Sequence, residues 1–178
     1  LEEYARDRGV ALDAQALAER LFYYTSGHPF LVSKLCKMFD EKMLPEKSDR
    51  TWTPHDVDLA ARQLVTESNV NFDDLSKNLD NNPELYRLAQ AVSLNGERYI
   101  FTLHNETANL GVLYGIFANR NGQLAIHNRI YQEIITEKMM FQAQFDNQSL
   151  IKRYFDAFWL PGNHLDIRKV LFKFQEMM

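Results

Sequence analysis

Cysteine, glycine and proline are scarce in this sequence. Cys36 is the single cysteine among 178 residues, which excludes an internal disulfide framework and favours a reducing compartment, the cytoplasm. With only 7 glycines and 5 prolines, the chain is neither repeat-rich nor of disordered composition. Long apolar runs are missing as well, so the sequence predicts no membrane-spanning segment, and we find no signal-peptide pattern.

Positive charge is also in short supply. The formal net charge is −4 and the isoelectric point is about 5.7, a poor match for a protein that neutralises nucleic-acid phosphates, although a local basic patch would still allow it. In contrast, 46% of the residues are hydrophobic and 12% are aromatic. That is enough to bury the core of one large domain or two small ones.

The patterns that carry chemistry are missing too. No glycine begins a phosphate-binding loop, no Gly-x-Ser-x-Gly occurs, and the five histidines show no metal-binding spacing. Cys36 has apolar neighbours and is interpreted as a core residue rather than a reactive thiol. We therefore expect no catalytic residue, no metal site and no bound cofactor in this chain, which would not act as an enzyme by itself.

Helical patterns dominate the first half. The spacing predicts a helix over 11–24 capped by Asp13, and a second from Pro29 to about Lys42, with Gly27 ending the first. Leu44–Trp52 is polar and is interpreted as a loop between subdomains. Further helices are predicted by the caps that precede them, at Thr53-Pro54-His55-Asp56 and at Asn82-Pro83-Glu84, with a weaker one between them over 68–81.

The second half mixes helices with short β-rich runs. Tyr99–Leu103 predicts a short strand, and a helix follows to about Tyr114, capped by Asn105 or Thr107. Asn121-Gly122 then joins two β-like runs, which is typical of a hairpin turn. Asn128 predicts the cap of a helix that extends past Ile135. This order of elements is that of a winged helix, in which the hairpin is the wing.

The pattern weakens beyond residue 140. Residues 140–147 are rich in glutamine and less periodic, 149–158 predict a helix, 160–163 a turn, and 165–178 the start of an amphipathic helix. We predict a mainly α fold with three parts: a helical lid-like subdomain over 1–50, a winged helix over 51–141, and a helical linker over 142–178. Gly111 and Gly115 have the spacing of a close helix packing rather than of a ligand site.

A winged helix raises the alternative of DNA binding, through a recognition helix in the major groove and a wing on the phosphates. The candidate recognition helix, 106–114, holds no lysine or arginine and begins with Glu106. Only Arg120 in the wing and Arg129 just beyond it would contact nucleic acid. Since affinity for DNA normally needs several neutralised phosphates, this alternative is not favoured.

Two segments resemble a known group of proteins. Tyr23-Tyr24-Thr25-Ser26-Gly27-His28-Pro29-Phe30-Leu31 resembles the helical lid of bacterial AAA-like and signal-transducing (STAND-type) ATPases. Leu110-Gly111-Val112-Leu113, together with Gly122-Gln123-Leu124-Ala125-Ile126-His127-Asn128-Arg129-Ile130-Tyr131, resembles the winged helix that follows that lid. Residues 165–175 look like the lead-in to a PD-(D/E)XK nuclease-like domain, which ends some of these proteins.

The resemblance implies a role for the lid turn. Gly27 and Pro29 would approach the adenine of ATP or ADP bound on a P-loop core of the same protein, and His28 would contact a phosphate or the ribose. The turn is equally interpretable as a plain helix–helix connection without a ligand. The resemblance also implies that the nucleotide-binding core lies before Leu1 and an effector domain after Met178. A third hypothesis is an adaptor that binds only protein.

Overall fold

In the computed structural model, which describes residues 1–94, 96–160, 164, 165, 167 and 168, the fold is mainly helical with a small antiparallel hairpin, as the sequence predicts. Residues Leu1–Thr136 form one compact unit and Glu137–Met178 a second. The predicted boundary near residue 50 falls inside the first unit. The division into 1–50, 51–141 and 142–178 stays a prediction.

The first half of the larger unit follows the predicted caps closely. Its elements are α1 (Glu2–Arg8), β1 (Ala11–Leu12), α2 (Ala14–Thr25), α3 (Pro29–Met38), a π-helical turn (Phe39–Met43), a 3-10 turn (Leu44–Glu46), β2 (Thr51–Trp52) and α4 (Pro54–Thr66). Asp13 caps α2 by accepting a hydrogen bond from the amide of Ala16. Thr53 and Asp56 form a reciprocal capping box at α4, so both helix starts are confirmed.

The structure corrects two of the expectations in this half. Ala11 and Leu12 are not helical, because they pair in parallel with Thr51 and Trp52. Leu44–Trp52 is not a plain polar loop, since Leu44 and Trp52 are buried and Phe39 stacks on the Trp52 ring, with centroids 4.3 Å apart. The first correction arises from a pairing across forty residues, and the second from a ring contact across thirteen residues. No local pattern contains either contact.

The second half contains α5 (Val70–Asp80), α6 (Pro83–Ser93), α7 (Glu106–Leu113), β3 (Phe117–Arg120), β4 (Gln123–Ile126) and α8 (Arg129–Phe158). Strands β3 and β4 pair antiparallel, with Phe117 opposite Ile126. The turn residues Asn121 and Gly122 have φ of 54° and 80°, which identifies the predicted tight hairpin. Asn105, rather than Thr107, caps α7.

One expectation of this half is wrong. Tyr99–Leu103 does not form a strand; it makes one isolated bridge, between Ile100 and Gln123. Three of its apolar side chains, Tyr99, Ile100 and Leu103, are exposed, and Ile100 is 83% exposed. Although the pattern is less periodic over 140–147, α8 runs without interruption to Phe158. No glycine or proline lies within it, and glutamine and methionine are good helix formers.

The core of the larger unit collects one face of each long helix and the inner face of the hairpin. Gly111 of α7 lies against Phe117 and Leu85, so the close packing predicted at this glycine is present. Gly115 instead forms a turn with φ of 70°. The buried apolar side chains include Leu17, Leu31, Leu35, Phe39, Leu64, Leu79, Leu85, Ile116, Phe117, Ile130 and Ile135.

In the second unit, β5 (Trp159–Leu160) pairs antiparallel with β6 (His164–Leu165). Leu165 is therefore in a strand and not at a helix start. The predicted turn over 160–163 and the predicted helix over 165–178 otherwise lie mostly outside the described residues.

Candidate functional site

The α2–α3 turn, the segment that resembles an ATPase lid, is built by Thr25 and two left-handed residues. The Thr25 hydroxyl donates to the carbonyl of Leu21 over 2.7 Å and accepts from the amide of Gly27 over 3.2 Å. Ser26 and Gly27 then reverse the chain with φ of 47° and 78°. Pro29 opens α3 in its first turn, where its missing N–H is no loss. Gly27 and Pro29 are exposed.

The His28 side chain points away from this exposed edge. Its Nε2 lies 3.4 Å from the hydroxyl of Tyr131, and its ring is edge-on to His127 with centroids 5.9 Å apart. Its Nδ1 is buried without a hydrogen-bond partner. The ring is therefore part of an internal contact between the α2–α3 turn and the β3–β4 hairpin.

Tyr131 is the residue on which this contact depends. It is 4% exposed, and its hydroxyl donates to Asn71 Oδ1 over 2.5 Å while facing His28. Its amide donates to Asn128 Oδ1 over 2.8 Å, which fixes the first turn of α8. Tyr131 thus joins α5, α8 and the α2–α3 turn. Tyr131 lies at the end of the resembling segment 122–131, and its sequence context predicts no role for it.

The two arginines proposed for nucleic acid lie beside the same turn. Arg120 donates to the hydroxyl of Ser26 and to the carbonyl of His127, each over 3.2 Å. Arg129 lies over the Tyr23 ring, 5.0 Å from its centroid, and pairs with Glu133. The five predicted site residues are therefore brought to one region, although Ser26 and Arg120 are 94 positions apart in the chain.

An open pocket of about 520 Å³ lies between the end of α2 and the hairpin. It is lined by Phe22, Tyr23, Ser26, Ala118, Arg120 and His127. Phe22 is 64% exposed, and its ring edge lies 3.5 Å from where a Cβ on Gly27 would be. The pocket therefore presents the Phe22 and Tyr23 rings and the His127 imidazole beside the Arg120 guanidinium.

Both histidines of this region favour their neutral form. Burial lowers the pKa of His28 below its usual 6.5, against a smaller opposing effect of its own backbone. Burial also lowers the pKa of His127, and the neighbouring His28 and Arg120 lower it further. The contact between turn and hairpin is thus made by uncharged imidazoles near neutral pH.

The described part of the chain contains no group of three or more His, Cys, Asp or Glu side chains placed to hold a metal ion. Nor does any of its helices combine the length and the apolar character needed to cross a membrane. Cys36 is half-buried, and burial raises the pKa of its thiol, which disfavours the reactive thiolate.

The helix predicted to enter a DNA groove, α7, contributes little to this region. Its N-terminal end borders a second open pocket of about 410 Å³, which includes Glu84, Arg87, Tyr99 and Ile100. Arg87 pairs with Glu84 there. Within α7 no lysine or arginine is available to a phosphate.

No protein-family model, curated protein or solved structure matches this chain. Its function is therefore inferred from its residues and their geometry.

Proposed function

We propose that this chain is the lid and winged-helix module of a multidomain AAA-like ATPase of bacterial type, and that it couples nucleotide state to an interaction or effector domain. Hydrolysis of ATP would take place on a P-loop core elsewhere in the same protein, and this chain would contribute no catalytic group. The proposal starts from the two resembling segments, the α2–α3 turn and the hairpin with the start of α8.

The observation that supports it most is the contact between these two segments. His28 of the turn faces both Tyr131 of α8 and His127 beside the hairpin. Arg120 adds a hydrogen bond to Ser26. A force applied at the turn would therefore reach the hairpin through packed side chains, so that the two segments move as one body.

The exposed edge of the turn suits a contact with a nucleotide on a neighbouring core. Gly27 has no side chain and Pro29 presents a rigid apolar ring, and both are accessible. His28 does not fit the direct contact with phosphate or ribose that the resemblance implies, because its ring faces Tyr131. Its role in the proposal is to connect the turn to the hairpin.

The first test uses the full-length gene product. The proposal requires a strand followed by Gly-x-x-x-x-Gly-Lys-Ser/Thr and a helix ahead of this chain. If the gene encodes no such element, the ATPase proposal is wrong.

In that protein, Pro29→Ala should weaken the binding of a fluorescent ADP analogue by about tenfold, which corresponds to ~1.4 kcal/mol for one lost ring contact. Tyr131→Phe should reduce the nucleotide-dependent change in hydrogen exchange of the hairpin, because the hydroxyl that joins Asn71 and His28 is removed. Tyr114→Phe is the matched control, since Tyr114 is 41% exposed at the end of α7. Equal effects of Tyr131→Phe and Tyr114→Phe would contradict the coupling role.

The DNA-binding alternative has less support. Arg120 donates to Ser26 and His127, and Arg129 pairs with Glu133, so both candidate phosphate ligands already have intramolecular partners. A mobility-shift assay with duplex DNA at low salt tests this alternative, and a shift at micromolar protein that Arg120→Gln weakens would revive it. If both tests are negative, the protein adaptor becomes the leading hypothesis.

A further inference from the structure

We propose that His28 and His127 form an acid-sensitive latch, which holds the α2–α3 turn against the β3–β4 hairpin while both rings are neutral and releases it when they take up protons. This goes beyond the proposed function, because the latch needs no nucleotide and no other domain. It follows from where the two rings lie and from what surrounds them.

The hydrogen bonds around His28 suit only its neutral form. The Tyr131 hydroxyl donates its proton to Asn71 Oδ1, so its oxygen is left to accept from Nε2–H of His28. Nδ1 then carries the lone pair, and this atom is buried without a hydrogen-bond partner. A proton added at Nδ1 would create a buried N–H donor without a hydrogen-bond partner, which is costly and is offset only in part by the smaller effect of its own backbone.

The His127 ring increases the cost of protonating His28. The centroids of His28 and His127 are 5.9 Å apart, and Arg120 donates to the carbonyl of His127. Protonation of both rings would place three positive charges in one half-buried region. Like charges at this separation oppose each other more strongly in a protein than in water.

The carboxylates on the packed elements do not compensate for these charges. Glu133 of α8 pairs with Arg129, and Asp58 of α4 pairs with Arg20 of α2. On α5, Asp74 pairs with Lys77, and Asp73 is exposed. The pKa of His28 is set by burial and by its own backbone, and the pKa of His127 by burial, His28 and Arg120. No carboxylate raises the pKa of either histidine.

The sign of the pH effect follows from these lowered pKa values. A histidine whose pKa is lower in the folded state binds fewer protons there than when released, so acid favours release. The latch is at full strength above the ordinary pKa of 6.5 and weakens as the pH falls from there toward the folded pKa values. This is the interval in which histidine switches operate.

Hydrogen exchange of single amides in this chain, read by NMR, tests the latch directly. The amide of His127 donates to the carbonyl of Ile116 over 2.8 Å, and the amide of Ser26 to Phe22 over 2.8 Å. After correction for the intrinsic exchange rate, their protection should fall by about tenfold between pH ~7.5 and ~5.5, the change expected when release takes up about one proton over about one pH unit. The core amide of Leu64 should keep its protection.

Variants separate the latch from a general loss of stability. The pH dependence should disappear in the double variant His28→Gln, His127→Gln and persist in His104→Gln, which changes an exposed histidine. Should the double variant not fold, the ring signals of the wild-type protein give the pKa values directly. A pKa of 6.5 or above for either ring, or an unchanged pH dependence in a folded double variant, overturns the proposal. Neither outcome bears on nucleotide binding.

Discussion

Gly111 offers the sharpest test of how the hairpin packs on α7. A Cβ built at this position would lie 2.2 Å from Cδ2 and 2.6 Å from Cε2 of Phe117, and 3.0 Å from Leu85 Cδ1. Phe117 is 2% exposed and Leu85 is fully buried, so neither side chain can swing into solvent. The substitution Gly111→Ala therefore inserts a methyl group where the core has no room.

Two opposing effects set the size of the stability change that Gly111→Ala causes. Alanine in place of glycine inside a helix stabilises by ~1 kcal/mol. Overpacking of a tightly packed core costs ~1–3 kcal/mol, and contacts this short indicate the upper end of that range. We expect Gly111→Ala to lower the free energy of unfolding by about 1–2 kcal/mol and Tm by about 3–6 °C.

Thermal and urea denaturation followed by circular dichroism measures this change. The control is a double-mutant cycle with Phe117→Leu, which removes ring atoms at the point of conflict. In the Phe117→Leu background, the Gly111→Ala substitution should cost less or become stabilising. An unchanged or raised stability of Gly111→Ala in the wild-type background would refute the packing argument, because helix propensity alone would then determine the result.

Two further predictions concern helix caps and the charge that supports one of them. Burial alone would raise the pKa of Asp56, but hydrogen bonds from Lys47 and Thr53 lower it overall. Asp56→Asn should therefore reduce stability by about 1–3 kcal/mol at neutral pH. The wild-type protein should lose stability as the pH falls below the carboxyl's ordinary pKa of 3.8, and Asp56→Asn should lose less over the same range. Denaturation at a series of acid pH values measures this difference. An equally steep loss of stability in the variant would contradict the role of this ion pair. Asn128→Ala should lower the free energy of unfolding by about 2 kcal/mol and Asn105→Ala by about 1 kcal/mol, because Asn128 is 1% exposed and Asn105 is exposed. Equal losses for the two variants in urea denaturation would contradict the role of burial.

The elements that could be predicted are those whose signals lie within a few residues. The capping box at Thr53 and Asp56, the cap at Asn128 and the Asn121-Gly122 hairpin each depend on bonds between positions two to four apart. Local backbone energetics largely determine such features wherever they occur. The mainly helical fold with the β3–β4 hairpin followed from them.

The sequence predicted the residues of the candidate site but not how they come together, for a physical reason. The sequence identified Gly27, His28 and Pro29 as one site and Arg120 and Arg129 as another. The structure places the arginines beside the turn and turns His28 inward onto Tyr131. Asn71 completes that contact from a helix in which no motif marked it.

By itself, then, the sequence determined where most helices begin and where the hairpin turns. Only the tertiary structure decided that Ala11 and Leu12 pair with Thr51 and Trp52, that Tyr99–Leu103 does not form a strand, and that His28 meets His127. The first group is set by interactions along a few bonds of the chain. The second depends on which distant segments the buried core brings together, and a linear pattern does not carry that information.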